Sequence, residues 1–128
     1  MQRNLKEASF YQQIGNLLKE ISSPARIQIL QMIGVEEVCV CHLEANLGMK
    51  QAYLSQHLMA LRKAGILITN REGRFIHYRL ANTELLAVIQ VSAKVLGIQR
   101  IVNEEPIEKK ICTCPKCRDN TSGKRSLW

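Results

Sequence analysis

"VCVCHLEANLGMKQAYLSQHLMALRKAGIL", residues 38–67, decides the fold. Leu54, Leu58 and Leu61 recur at helical spacing, so a helix with one apolar stripe is expected from about Lys50 to Ala64. Ahead of it, Gly48 ends a shorter expected helix from Val38 to Leu47, because glycine readily takes the left-handed backbone that closes a helix. Two helices joined by a tight glycine turn predict a helix-turn-helix. Cys39 and Cys41 stand at the start of the first of them, where packing alone would be served by Val, Ile or Ala.

Downstream, "ILITNREGRFIHYRLA" (66–81) has β-branched and aromatic runs on both sides of "REGR", which predicts a β-hairpin with Gly73 at its tip. A wing therefore follows the helix pair, and His77 on its second strand reads as a structural histidine. Asn82 or Thr83 can cap a last helix running to about Val102. Its apolar residues at 85, 86, 88, 89, 91, 93, 95, 96 and 98 exceed one face, so one side is expected to meet a second subunit. Upstream, Ala8, Tyr11, Ile14, Leu17, Leu18 and Ile21 form the stripe of a first helix beginning near Leu5. Ser23 and Pro24 then restart the chain as cap and first residue of a second helix that ends at Gly34. The expected fold class is mainly α with a β-hairpin wing, a winged helix-turn-helix dimerising through its first and last helices. Residues 1–102 form the domain. Residues 103–128, charged and without periodicity, read as a cysteine-rich tail.

The 128 residues suffice for one core, and a formal net charge of +7 favours a polyanionic partner such as double-stranded DNA. No run of about 18 apolar residues occurs, and the first ten residues lack a secretory apolar stretch, so the cytoplasm is the expected location. In that reducing compartment the five cysteines (Cys39, Cys41, Cys112, Cys114, Cys117) point to metal, metalloid or redox chemistry before a disulfide framework.

The order of elements, "VCVCHLE" and the segment Ser55-x-His57-Leu58-x-x-Leu61-Arg62-x-Ala64-Gly65 resemble the ArsR/SmtB family of metal-sensing winged-helix repressors, over about residues 10 to 100. The arsenic-sensing branch is the nearest likeness. The resemblance implies that the second helix of the pair lies in the major groove. On it, Gln51, Tyr53, Ser55, Gln56 and His57 would reach base edges or phosphates. Lys50, Arg62, Lys63, Arg71 and Arg74 would hold phosphates. Lys50 stands where the family commonly has a capping Ser or Thr.

The resemblance also places an inducer at the cysteine pair. Residues i and i+2 on a regular helix point about 200° apart, so Cys39 and Cys41 could grip one ion only by distorting the first turn, which supports the reading helix. A helix start favours thiolate, the ligating form. The third thiolate that some arsenic sensors place three residues further on is replaced here by Glu44. The first helix has no cysteine and the last helix no His or Asp, so the sites that other members build there are missing, and Cys112, Cys114 and Cys117 are left to complete the shell. His42 is a further candidate nitrogen ligand. Sulfur coordination selects soft ions: As(III) or Sb(III) first, then Cd(II) or Pb(II), then Zn(II).

Two alternatives remain beside an inducible repressor: a thiol-disulfide repressor of the same fold, and a thiol-rich metal-storage or delivery protein. Cys112 and Arg118 share the spacing of oxyanion-cradling nucleophile loops, but no strand precedes them and Pro115 occupies the loop, so no enzyme is expected.

Overall fold

A computed structural model describes residues 9–98. Five helices and three short strands follow in the order α1 (Phe10–Glu20), α2 (Pro24–Ile33), β1 (Val38–Cys39), α3 (Val40–Leu47), α4 (Gln51–Lys63), β2 (Leu67–Glu72), β3 (Phe75–Leu80) and α5 (Glu84–Leu96). The architecture is the expected winged helix-turn-helix, with α3 and α4 as the helix pair and β2–β3 as the wing. Among the described residues no helix is long and apolar enough to cross a membrane.

Two devices shape the helix pair and the wing. Gly48 closes α3 in the left-handed conformation (φ +67°), its N–H donating to the Glu44 carbonyl, so the chain reverses within three residues before α4 begins. In the wing, Glu72 pairs with Phe75, leaving the two-residue turn Gly73-Arg74. Gly73 has φ +60° at its first central position, which matches the right-handed twist of the strands.

The core is the place where α2, α3 and α4 meet the sheet: Ile29, Leu30, Ile33, Leu43, Leu54, Leu58 and Leu61 are fully buried. Leu58 and Leu61 carry the α4 stripe read from the sequence. Truncating either to Ala removes packing worth about 2–5 kcal/mol.

Several expectations are corrected. The helix expected over Val38 to Leu47 begins only at Val40: Val38 and Cys39 are extended and pair with Tyr78 and His77, making a three-stranded antiparallel sheet in the order β1-β3-β2. Sheet pairing on β3 overrides helix formation there. α1 starts not near Leu5 but after Ser9, which forms a reciprocal capping box with Gln12. Its apolar stripe is only partly buried within the protomer: Ile21 joins the core and Leu17 packs against it, whereas Tyr11 is 82% exposed, and Phe10, Ile14 and Leu18 also face outward. α5 ends at Leu96 rather than Val102, because Gly97 (φ +71°) caps it in the left-handed conformation. Its outer side leaves Val91, Val95, Leu96 and Ile98 exposed. Ser23 makes no capping hydrogen bond with its side chain, whereas Asn82 accepts from the Glu84 N–H at 2.9 Å and so starts α5.

Candidate sensor and nucleic-acid interface

At the junction of β1 and α3, Cys39 is the residue that caps the helix. Its backbone is extended (φ −86°, ψ 160°), and its Sγ accepts the His42 N–H at 3.3 Å. The thiol is 1% exposed and is packed by Cys41 and Phe75. Cys41, in the first turn, is half-buried and disulfide-bonded; its partner is not Cys39, which carries a thiol. The helix geometry invoked for the pair is therefore replaced: the two sulfurs straddle a strand-to-helix joint. An ion shared between them would act on the β1–β3 pairing as well as on α3. His42 is buried, and its carbonyl accepts from Asn46 Nδ2 at 2.8 Å.

Both cysteines line a cleft of about 480 Å³ whose other walls include Gln51, Ser55, Met59 and Arg62 of α4 and Arg74 and Phe75 of the wing. This cleft brings the expected sensor residues and several of the expected DNA-reading residues to one place. The polar face of α4 is open: Gln51, Ser55 and Gln56 are exposed, Tyr53 about half so, and Lys50, Arg62, Lys63, Arg71 and Arg74 are all exposed. Lys50 is the residue before α4 and makes no side-chain cap. Burial pushes the Tyr78 hydroxyl above its usual range, a rise partly offset by the Arg62 guanidinium.

His57 sits apart from that open face. Its ring is half-buried and stands edge-on to Tyr53, with centroids 4.6 Å apart. Its Nδ1 accepts from Arg26 Nε at 3.0 Å. Arg26 also donates to the Glu20 carbonyl and pairs with the Glu20 carboxylate, both at 2.9 Å. Burial first, then the Arg26 charge, lower the His57 pKa below its ordinary value. His57 thus holds α4 against the α1–α2 corner, and its Nδ1 is engaged within the fold.

His77 is the opposite case. It is 1% exposed on β3, and among the described residues neither ring nitrogen has a hydrogen-bond partner. His77 is paired with Cys39 and Asn70 in the central strand of the sheet, the place its expected structural role calls for, although its ring makes no hydrogen bond there. Among the described residues no three His, Cys, Asp or Glu side chains are gathered around one point as a metal shell. Cys112, Cys114 and Cys117, like the whole expected tail, lie outside the described residues.

Sequence reasoning missed Arg26, whose contact with His57 spans 31 positions and leaves no local signal. It also missed Met59, exposed on the cleft side of α4, and Phe75, the wing residue packed against Cys39. The helical spacing of Met59 from Ser55 was visible and would have placed it on the reading face.

Residues 23–69 match the family described as "Bacterial regulatory protein, arsR family". The transcriptional activator HlyU of Vibrio cholerae is 39% identical over 75 residues, 59% of this chain and 69% of that protein. Its solved structure superposes with a TM-score of 0.63 at 32% identity, covering 71% of this chain and 99% of the other. The arsenical resistance operon repressor of Escherichia coli is 35% identical over 66 residues, 51% of this chain and 56% of that protein. A homodimeric winged helix-turn-helix DNA-binding domain from Mycobacterium bovis superposes with a TM-score of 0.61 at 28% identity, over 73% of this chain and 90% of that one.

Proposed function

The chain belongs to the ArsR family of bacterial regulatory proteins, and from that premise we propose that it is a homodimeric repressor released from its operator when a soft ion binds the thiolates of Cys39 and Cys41. The observation that carries the reading is the shared cleft, which puts both sulfurs between α3, α4 and the wing. Its matched relatives are transcription regulators, which agrees with the expectation of a binding protein rather than an enzyme.

In this reading α4 enters the major groove. Gln51 or Gln56 is suited to a bidentate contact with adenine, and Tyr53, Ser55 and Met59 offer further polar and apolar contacts to base edges. His57 acts differently from the other face residues, by fixing the tilt of α4 through Arg26. Lys50, Arg62, Arg71 and Arg74 take phosphates, which supplies affinity that falls with salt. The exposed apolar sides of α1 and α5 support a two-fold dimer, as in the homodimeric relative, and hence a palindromic operator.

An ion that drew Cys39 and Cys41 together would shift the start of α3 and its pairing with β3, altering the angle between α4 and the wing. Cys112, Cys114 and Cys117 are the remaining sulfurs that can complete a three-thiolate shell for As(III) or Sb(III), or a shell for Cd(II), Pb(II) or Zn(II). Ion and operator oppose each other by one coupling free energy, of about 1–3 kcal/mol.

Fluorescence anisotropy of operator DNA, titrated with each ion under reductant, tests this. The wild-type chain is expected to lose operator affinity by about 5- to 150-fold. The Cys39→Ser, Cys41→Ser double variant is expected to bind DNA yet ignore the ion, and its release at wild-type ion concentrations would refute the site. A second reading, a thiol-disulfide repressor, is favoured by the disulfide at Cys41. Release by peroxide in the presence of chelator, reversed by dithiothreitol, would establish it in place of ion binding.

A further inference from the structure

We infer that the cleft holding the two cysteines is also a phosphate seat of the DNA interface: a backbone phosphate held between Arg62 and Arg74 covers Cys39 and Cys41, so their thiols are reached only in the DNA-free chain. This rests on the repressor reading and adds to it an order of events, since the chain leaves DNA before its thiols react.

The lining of the cleft carries the inference. Arg62 comes from the last turn of α4 and Arg74 from the two-residue turn at the tip of the wing, yet both line the cleft that holds the cysteines. Both arginines are exposed, and so are Gln51 and Ser55 on the α4 wall, whose amide and hydroxyl add uncharged donors. Arg62 also reaches inward: its charge opposes the rise that burial causes at the Tyr78 hydroxyl, and Tyr78 is a further wall of the same cleft. Against the two guanidinia stands Glu44, the one carboxylate of the described lining, so the cleft keeps a positive balance.

That donor set fits a phosphodiester. Guanidinium forks match phosphate oxygens, and the charge-assisted bonds they donate are among the strong ones. The volume of about 480 Å³ lies within the range of about 300–1,000 Å³ that holds one small ligand, so the cleft takes one occupant at a time. Cys39 is 1% exposed and Cys41 half-buried, so little of either is open to solvent, and a phosphate seated between the arginines narrows the access that remains. Seating the phosphate makes and breaks no covalent bond, and Cys41 is exposed to a reagent only as a reduced thiol.

The test uses the full, freshly reduced chain and a mixed-sequence DNA duplex at low salt, where phosphate contacts supply the binding. Iodoacetamide alkylation of Cys41 is followed by peptide mass spectrometry, without duplex and with duplex at about ten times its measured Kd. Only about one chain in eleven is then free, so the Cys41 rate should fall about tenfold, and salt that strips the duplex should restore it. The Arg62→Gln, Arg74→Gln double variant keeps Lys50, Lys63 and Arg71 to hold DNA. At about ten times its own Kd, the ratio of its two rates should return toward one, and a ratio taken within one chain cancels any effect of the substitutions on thiol reactivity. An undiminished Cys41 rate in the saturated wild-type chain would overturn the inference while leaving DNA binding, and so the repressor reading, in place. Equal protection in the double variant would overturn it too, by putting the shield elsewhere. A chain that binds neither this duplex nor its own promoter DNA would defeat the repressor reading and the phosphate seat with it.

Discussion

The two sides of the reading helix treat a histidine in opposite ways. At the α1–α2–α4 corner, His57 is half-buried, accepts from Arg26 and stacks edge-on with Tyr53, while Arg26 is anchored in turn by Glu20. At the β1–β3–α3 joint, His77 is more deeply buried, and among the described residues neither ring nitrogen has a hydrogen-bond partner. The first region uses a polar ring to fix geometry. The second keeps a polar ring at a cost to stability, and it does so opposite a cysteine.

The comparison breaks most visibly at Arg26. Arg26→Ala removes the donor to His57 and both contacts with Glu20, leaving Nδ1 of a half-buried ring without its donor. A loss of about 1–3 kcal/mol is expected. Urea unfolding measures it, and a midpoint equal to that of the wild type would mean that the corner is ornamental. Glu20→Gln should cost less than about 1 kcal/mol, since an ion pair this exposed is screened. The difference between the two variants separates the ion pair from the Arg26 bonds to His57 and to the Glu20 carbonyl.

His77→Leu should act with the opposite sign. Replacing an unbonded buried imidazole by an apolar side chain removes a desolvation penalty, so the metal-free chain is expected to gain up to about 1 kcal/mol. The same substitution at His57 should lower stability. Equal signs for the two, measured by thermal unfolding with chelator present, would erase the distinction between the regions.

Legibility in the sequence follows the same division. The helix pair, the wing and the last helix were readable because Leu54, Leu58 and Leu61 repeat at helical spacing and because Gly48 and Gly73 punctuate turns. Those are local signals. What stayed hidden depends on contacts between distant positions. Val38 and Cys39 became a strand because β3, about forty residues away, offers its edge. The α1 stripe was visible, but periodicity does not say whether it faces its own core or another molecule. Cys39 and Cys41 were legible as a chemical pair, and the cleft that joins them to α4 was not. His77 read as structural because one residue on an alternating strand carries no information about whether its nitrogens will find partners.

A third, smaller comparison lies between the two helix starts. α3 is capped by the Cys39 sulfur, α4 by no side chain at Lys50. Lys50→Ser should add about 0.5–1 kcal/mol by supplying the missing acceptor. It should also reduce the salt dependence of operator binding by about 0.9 in slope if Lys50 neutralises one phosphate. An unchanged slope would remove Lys50 from the DNA contacts while leaving the cap argument intact.

The subtlest effect is on pH, and its sign follows from the direction of the His57 shift. Burial and the Arg26 charge depress the folded pKa below the unfolded value of about 6.5. In the window between those two values the unfolded chain binds more protons than the folded one, so stability rises with pH there. The contribution is complete above about pH 6.5 and is lost as pH falls through the lowered folded pKa. Protonation puts a hydrogen on Nδ1, where Arg26 Nε already donates, so the charged ring loses its bond and faces a like charge. Urea midpoints measured on the acid side of neutrality should therefore fall in the wild-type chain and fall less in His57→Gln, whose amide oxygen can accept from Arg26 without titrating. If both chains lose stability in parallel, the acid sensitivity belongs to other groups, and the Arg26–His57 bond is not what ties α4 to its corner.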